Sequence, residues 1–264
     1  MYFHFKNTAI HYRIKGEGKA VVMLHGFLES SGMWDDYAET LSETYQVILI
    51  DLPGHGESGF FSFGTTIDLM AEMVNALLDE LNIKKVRMIG HSMGGYVTLA
   101  FAELFKRKLN CFVLLHSTAF EDSDETIEKR NKAIEMLQAH PELYIRQTIF
   151  GLFRENTLFK FSNYKHKMIS SALKTGPPYN GYAEAVKAMK SRPDRIHMLR
   201  TKVPKMFVAG RYDPVIPENN SFRQIHFLRH GNGIFLEESG HMGFIEEKET
   251  TLKLISKFLI DHSI

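Results

Sequence analysis

The sequence predicts an α/β protein in which helices flank a mostly parallel central sheet, with a helical segment inserted between two of its strands. Short, mostly apolar runs at 20–24, 46–51, 85–90, 111–115, 205–209 and 233–237, the first of them apolar throughout, are separated by stretches of helical periodicity. A strand that is apolar at every residue is buried on both faces, the condition of a parallel sheet covered by helices. The alternation stops after Thr118 and resumes at about 201. The core is therefore expected to comprise residues 1–117 and 201–264, and the insertion 118–200.

Taken in order, two alternating runs, 2–5 and 9–14, flank Lys6-Asn7-Thr8 and read as a hairpin. The strand at 20–24 ends in His25-Gly26-Phe27, and a helix is expected over 34–42. After the strand at 46–51, residues 65–81 place Ile67, Met70, Val74, Leu77, Leu78 and Leu81 at helical spacing. The strand at 85–90 stops at Gly90-His91-Ser92-Met93-Gly94, and a helix starts at once, running through Leu99, Phe101 and Leu104. The insertion opens with the acidic run 121–125, read as a solvated helix start. It is rich in aromatics (Phe150, Phe153, Phe159, Phe161, Tyr164, Tyr179 and Tyr182) and is punctuated by Gly176-Pro177-Pro178. Beyond it come a strand at 205–209, a helix at 218–228, a strand at 233–237 and a closing helix at 244–260.

Composition narrows the function classes. Hydrophobic residues make up 44% of the 264 and charged residues 24%, with a net charge of +1, so neither nucleic acid nor an anionic membrane is an expected partner. The single cysteine, Cys111, excludes an internal disulfide and a cysteine-rich metal site, which fits a reducing, cytoplasmic setting. No signal-peptide order opens the chain, and no apolar run approaches the roughly 20 residues of a membrane span. The histidines show no metal-ligand spacing beside a carboxylate, so neither metal nor organic cofactor is expected.

Strand, abrupt turn and helix around Ser92 describe a nucleophile in a strained backbone, lifted clear of the sheet at a helix N-terminus. Gly90 and Gly94 supply the small residues two positions either side of it. A lone Gly-x-Ser-x-Gly is weak evidence, and a serine hydroxyl needs a base whose tautomer a third group fixes. Such partners are expected in loops beyond the carboxyl ends of core strands. Asp213 follows the strand at 205–209 and His241 the strand at 233–237, giving the order Ser92, Asp213, His241.

With these residues in place, the chain resembles the α/β-hydrolase superfamily over essentially its full length. The motifs carrying the resemblance are His25-Gly26-Phe27, the stretch Asp51-Leu52-Pro53-Gly54-His55-Gly56-Glu57-Ser58, the elbow at 90–94, Gly210-x-x-Asp213 and Gly240-His241. The resemblance implies Ser92 as nucleophile, His241 as general base then acid, and Asp213 as its orienting carboxylate. It implies an oxyanion hole from the backbone N–H groups of Phe27 and Met93, and a helical cap for the insertion. His25 and His55 read as structural hydrogen-bonders beneath the site and His91 as a packing residue; His116 follows a core strand, which leaves an approach to the site open, with packing the favoured role. Gly54-His55-Gly56-Glu57-Ser58-Gly59 matches a dinucleotide fingerprint, but Phe60-Phe61-Ser62-Phe63-Gly64 follows where a helix should open.

Serine at the elbow separates the chain from relatives with an aspartate nucleophile. Relatives that hydrolyse carbon–carbon bonds often carry Asn before the serine and Trp after the histidine, where this chain has His91 and Met242. The expected activity is therefore hydrolysis of a carboxylic ester, a lactone among them, of a small apolar or aromatic substrate. Phe27, Phe150, Phe153 and Phe159 are the candidate substrate contacts. A C–C bond hydrolase, a thioesterase and a non-catalytic small-molecule receptor are the alternatives.

Overall fold

Lys6 and Asn7 both adopt positive φ, 47° and 64°, the backbone with which a two-residue turn matches the twist of its strands. They join β1 (Tyr2–Phe5) to β2 (Thr8–Lys15) as an antiparallel pair. β2 runs antiparallel to β4 (Tyr45–Ile50), and every later pairing is parallel, through β3 (Lys19–Leu24), β5 (Val86–His91), β6 (Leu109–Leu115), β7 (Lys205–Gly210) and β8 (Gly231–Leu236). The eight strands lie in the order β1-β2-β4-β3-β5-β6-β7-β8. The computed structural model describes residues 1–157, 159–175 and 179–262. The Gly176-Pro177-Pro178 punctuation lies outside the described residues.

Successive side chains of a strand point to opposite faces, and β3 shows it: Val22 and Leu24 join one apolar cluster, Val21 and Met23 the other. The first cluster is covered by α2 (Ile67–Glu80) and α3 (Met93–Leu104). The second is covered by α1 (Asp35–Leu41) and, from the C-terminus, by two further helices, 243–246 and 248–261. Trp34, fully buried, packs on Tyr37 and Phe244 at ring separations of 5.6 and 5.1 Å, and the Tyr37 hydroxyl donates to the Phe244 carbonyl at 3.0 Å. α2 starts at Ile67 rather than 65 because the Thr66 hydroxyl accepts the Leu69 N–H at 3.0 Å and caps it.

Between β6 and β7 the described residues form α4 (Asp124–Ala139), α5 (Pro141–Phe150), α6 (Ser162–Lys174), α7 (Asn180–Lys190) and α8 (Ile196–Leu199), with no strand among them. Gly181 of α7 lies so close to Gly54 that a Cβ on either would overlap the other's backbone. Tyr182 then sets its ring edge-on to His55 at 4.9 Å and to Phe27 at 5.9 Å. At the far end of the insertion, buried Arg195 pairs with Asp68 of α2 and Glu103 of α3.

α9 (Glu218–Ile225) ends three residues before the expected position. The closing helix, expected as one piece over 244–260, is α10 (Gly243–Glu246) and α11 (Lys248–Asp261), broken at Glu247. The side chains at the break explain it. Glu246 Oε2 accepts the N–H groups of Gly240 and Met242, and Glu247 Oε2 accepts the Glu238 N–H and the Ser239 hydroxyl. Both carboxylates are drawn back onto the 238–242 loop. No described helix is long and apolar enough to cross a membrane.

Trp34 ties the first helix to the last two, so Trp34→Ala is expected to lower the unfolding free energy by about 3–5 kcal/mol, the usual cost of emptying a large aromatic site. Urea denaturation followed by circular dichroism measures it, and a loss below about 1 kcal/mol would contradict this packing.

Candidate active site

The strand β5 and the helix α3 meet at Ser92, whose backbone sits at φ 48°, ψ −114°. Such a conformation is costly for a residue with a side chain and persists only where surroundings enforce it. Three groups do so. The Ser92 N–H donates to the Leu115 carbonyl at 2.9 Å, and the Ser92 carbonyl accepts the Gly95 N–H at 2.9 Å and the Ser117 hydroxyl at 2.8 Å. The two flanking glycines are required by space. A Cβ on Gly90 would meet the Gly94 carbonyl, and one on Gly94 would meet the carbonyls of Leu24 and His25.

Asp213 lies just beyond β7, with Oδ1 accepting the N–H groups of Val215 and Ile216 at 2.8 and 2.9 Å. His241 lies beyond β8, and its Nδ1 meets Asp213 Oδ2 at 2.8 Å and Oδ1 at 3.0 Å. Both side chains are almost wholly buried. Burial pushes the Asp213 carboxyl up, but the facing His241 and the hydrogen bonds from His116 and His241 outweigh it and hold the group below the usual carboxylate range. Asp213 is therefore an acceptor, His241 carries its proton on Nδ1, and Nε2 is left to accept. The His241 ring packs 5.0 Å from that of His91, the residue preceding Ser92. Among the described residues, neither Ser92 Oγ nor His241 Nε2 is engaged in a hydrogen bond.

The packing role expected for His116 is corrected by the structure. Its backbone at φ 46° turns the ring onto Asp213, with Nδ1 3.3 Å from Oδ2. Burial lowers its pKa to about 4, so it stands neutral as a second N–H donor to that carboxylate. The ligand atoms of His116, Asp213 and His241 lie within 4.8 Å of one another. That spacing would suit a metal ion, but both histidines spend their Nδ1 protons on the carboxylate.

The early loop turns at Leu28, which has φ 62°. His25 bonds the Gly26 carbonyl through Nδ1 at 2.7 Å and accepts the Leu52 N–H on Nε2 at 2.9 Å, the structural role expected of it. His55 likewise bonds the Pro53 carbonyl, at 3.2 Å, and burial depresses its pKa to about 3. Among the described residues, neither the Phe27 N–H nor the Met93 N–H meets an acceptor. The Gly54–Gly59 loop opens no helix; it wraps the Asp51 carboxylate, which accepts the N–H groups of Ser31 at 2.6 Å and Glu57 at 3.0 Å. Glu29 is the residue that sequence reasoning missed, since an acidic residue in a loop reads as solvated. It is buried, and it accepts the Gly26 N–H at 2.5 Å and faces His91 at 3.1 Å.

The candidate substrate contacts divide. Phe27 is half-buried against Tyr182 and His55. Phe153 is buried and stacked on Phe161 at 5.8 Å, within the packing of the insertion on the core. Phe150 is 40% exposed, and Phe159, at 92% exposed, projects into solvent and forms no pocket wall. Phe150 and Phe153 line a surface pocket with Tyr212 and Pro214, and a separate cavity of about 110 Å³ opens between residues 28–36 and α6, lined by Leu28, Met33, Met168, Asp35, Asp36 and Lys167 among others.

A family model described as alpha/beta hydrolase fold matches residues 19–144. The 3-oxoadipate enol-lactonase 1 of Acinetobacter baylyi is 27% identical over 241 residues, covering 91% of this chain and 88% of that protein. The 2-hydroxy-6-oxononadienedioate/2-hydroxy-6-oxononatrienedioate hydrolase 1 of Pseudomonas putida is 25% identical, covering 95% and 91%. Among solved structures, a thermophilic esterase from Thermogutta terrifontis superposes with a TM-score of 0.88 at 27% identity, covering 97% of this chain and 94% of that one. The enol-lactonase of Burkholderia xenovorans superposes at 0.89 with 22% identity, covering 98% and 100%, a likeness of fold.

Because the Asp213 carboxyl titrates lower in the folded chain than in the unfolded one, its ionisation stabilises the fold fully above about pH 4 and progressively less as pH falls toward the folded value. The stability gap between wild type and Asp213→Asn should thus be constant near neutrality and narrow below about pH 4. Urea midpoints across pH 3–7 give the curve, and a gap that widens in acid would reverse the assignment.

Proposed function

From the premise that this chain belongs to the alpha/beta hydrolase superfamily, we propose that it is a serine hydrolase cleaving a carboxylic ester, or a lactone, through an acyl-enzyme. The observation that carries the reading is the buried Asp213–His241 pair set beside the strained Ser92 elbow. In the proposed cycle Ser92 Oγ attacks the carbonyl carbon while His241 Nε2 takes its proton. The oxyanion that forms is met by the N–H groups of Phe27 and Met93. Collapse expels the alcohol, which receives the proton from His241, and water then repeats the sequence on the acyl-enzyme to release the acid. For a lactone the alcohol remains tethered and the product is a hydroxy acid. Nucleophile, base, acid and N–H donors all come from the chain, so the cycle calls on no metal or cofactor.

The insertion 118–200 serves in this reading as a cap. Tyr182 over Phe27 and the cavity under α6 put its helices beside the oxyanion loop. The leucine and methionine side chains of that cavity offer an apolar wall beside the charged Asp35, Asp36 and Lys167. The lone, buried Cys111 fits a reducing cytoplasm. Similarity to the enol-lactonase and to the esterase supports ester chemistry. A second reading, hydrolysis of substrates of the kind in the P. putida relative's name, is favoured by that 25% identity.

Ser92→Ala is expected to fold normally and to lose roughly 10⁴-fold or more in kcat, with the residue of catalysis left to the oxyanion donors. A fluorophosphonate should label Ser92 in the wild type alone. Turnover of p-nitrophenyl esters, lactones, thioesters and a vinylogous diketone by one preparation separates the readings; a wild type that neither labels nor turns over any of them would overturn the assignment.

A further inference from the structure

The residue at the elbow's variable position, His91, makes two hydrogen bonds. Its Nε2 lies 2.9 Å from the main-chain carbonyl oxygen of His241, and its Nδ1 lies 3.1 Å from Glu29 Oε2. The same Glu29 oxygen takes the Gly26 N–H at 2.5 Å. A carbonyl and a carboxylate only accept, so both ring nitrogens of His91 carry protons and the side chain is an imidazolium facing a carboxylate. Both side chains are buried, at 0% and 1% exposure. Burial works against each charge, yet each holds the other: the His91 pKa stands above its ordinary value and that of Glu29 below.

We propose that the His91–Glu29 ion pair is a positioning device that holds the Phe27 N–H and the His241 loop at fixed places around Ser92; the inference rests on the serine-hydrolase reading above. Three loops, after β3, β5 and β8, must bring their groups to one carbonyl carbon. His91 is the one side chain hydrogen-bonded to both of the other loops and covalently next to the nucleophile. Through Glu29 it fixes Gly26, whose following N–H is the Phe27 donor. A Cβ on Gly26 would sit 2.8 Å from His91 Nδ1 and 2.9 Å from Glu29 Oε2, so this residue has room only as glycine. Through the His241 carbonyl it adds a third anchor to that residue, beside Asp213 on the ring and the Leu152 carbonyl on its N–H at 2.8 Å.

Burying two charges costs several kcal/mol per ion, on the order that makes an apolar filler the more stable choice. Phe244, His116 and His241, with ring centroids 4.8, 6.0 and 5.0 Å from His91, already pack the space as hydrophobic or neutral groups would. What an apolar side chain lacks is direction: two protons aimed at two acceptors on different loops. Misplacing an oxyanion donor weakens the transition state far more than the ground state.

The test uses Glu29→Ala, His91→Ala, their double variant, and the milder Glu29→Gln and His91→Gln, all checked for folding by circular dichroism and thermal melting. With a p-nitrophenyl ester, each alanine variant should lose about 10–10³-fold in kcat, up to the scale of losing one oxyanion donor outright, while KM stays within about threefold. Affinity for a trifluoromethyl ketone matched to the ester should fall by the same factor as kcat/KM. The double variant should cost no more than the worse single, because either one severs the link. Glu29→Gln keeps an oxygen for Gly26 and should retain more activity than Glu29→Ala. Should the alanine variants fail to fold, the two glutamine variants give the same comparison of kcat/KM with ketone affinity. A folded His91 variant with kcat within twofold of wild type, or with unchanged ketone affinity, overturns the positioning role. Failure of the wild type to be labelled at Ser92 or to cleave any ester overturns the hydrolase reading instead.

Discussion

Everything at the carboxyl end of the sheet is arranged to keep Ser92 at φ 48°, ψ −114°. That backbone is affordable only because β6 supplies the Leu115 carbonyl, α3 returns the Gly95 N–H, and Ser117 reaches over with its hydroxyl. Those partners in turn require α3 to lie close on the sheet, which the glycines at 90, 94 and 95 permit by having no Cβ to meet neighbouring atoms. The cost of the turn is thus spread over a strand, a helix and the loop after β6. In exchange the hydroxyl projects half-exposed at the N-terminus of α3, where the Met93 N–H is free to act. Rigid elements hold such geometry better than loops do, which is why the strain sits between β5 and α3.

Five buried histidines surround this point, and their hydrogen bonds put them in different states. His25 and His55 lie in the loops beneath and are pushed toward neutrality by burial. His116 is neutral and donates to Asp213, whereas His91 is charged because Glu29 faces it. His55, His116 and His241 each keep a ring Nε2 without a hydrogen-bond partner among the described residues, but only His241 holds its Nδ1 against the two oxygens of Asp213 within hydrogen-bond distance. The same imidazole therefore serves as spacer, donor, counter-ion and candidate base within one cluster. Environment separates the roles, as it does whenever several titratable groups share a site.

Much of this was legible in the chain. Short, mostly apolar runs located the parallel strands because burial on both faces leaves little polar alternation to read. The elbow and the loops holding Asp213 and His241 were legible because each needs a fixed residue type at a fixed place after a strand. What the sequence hid was tertiary. Glu29 carries no local pattern, and the place of His116 after a strand did not say which partner it meets; their roles exist only once β3, β5, β6 and β7 are side by side. The break at Glu247 was hidden likewise, since the carboxylates that interrupt the helix do so by binding a loop nearly ten residues upstream. Among the aromatics of the insertion, composition could not separate Phe153, buried against Phe161, from Phe159, left in water.

The insertion meets the core in a way that separates chemistry from selection. Its contacts with the core include Arg195 on α2 and α3 near its C-terminal end and, within it, the Leu152 carbonyl on the His241 N–H and Gly181 against Gly54. None of these contacts touches Ser92. The groups proposed to react stay on strand ends and on the loops that buried charges pin, while the walls nearest the cavity, Tyr164, Met168 and Ser171, belong to α6. A helix held by its neighbours rather than by the sheet can change its side chains without disturbing the elbow. Relatives at 25–27% identity carry names for different substrates, as expected where function lives in sites built on a common fold.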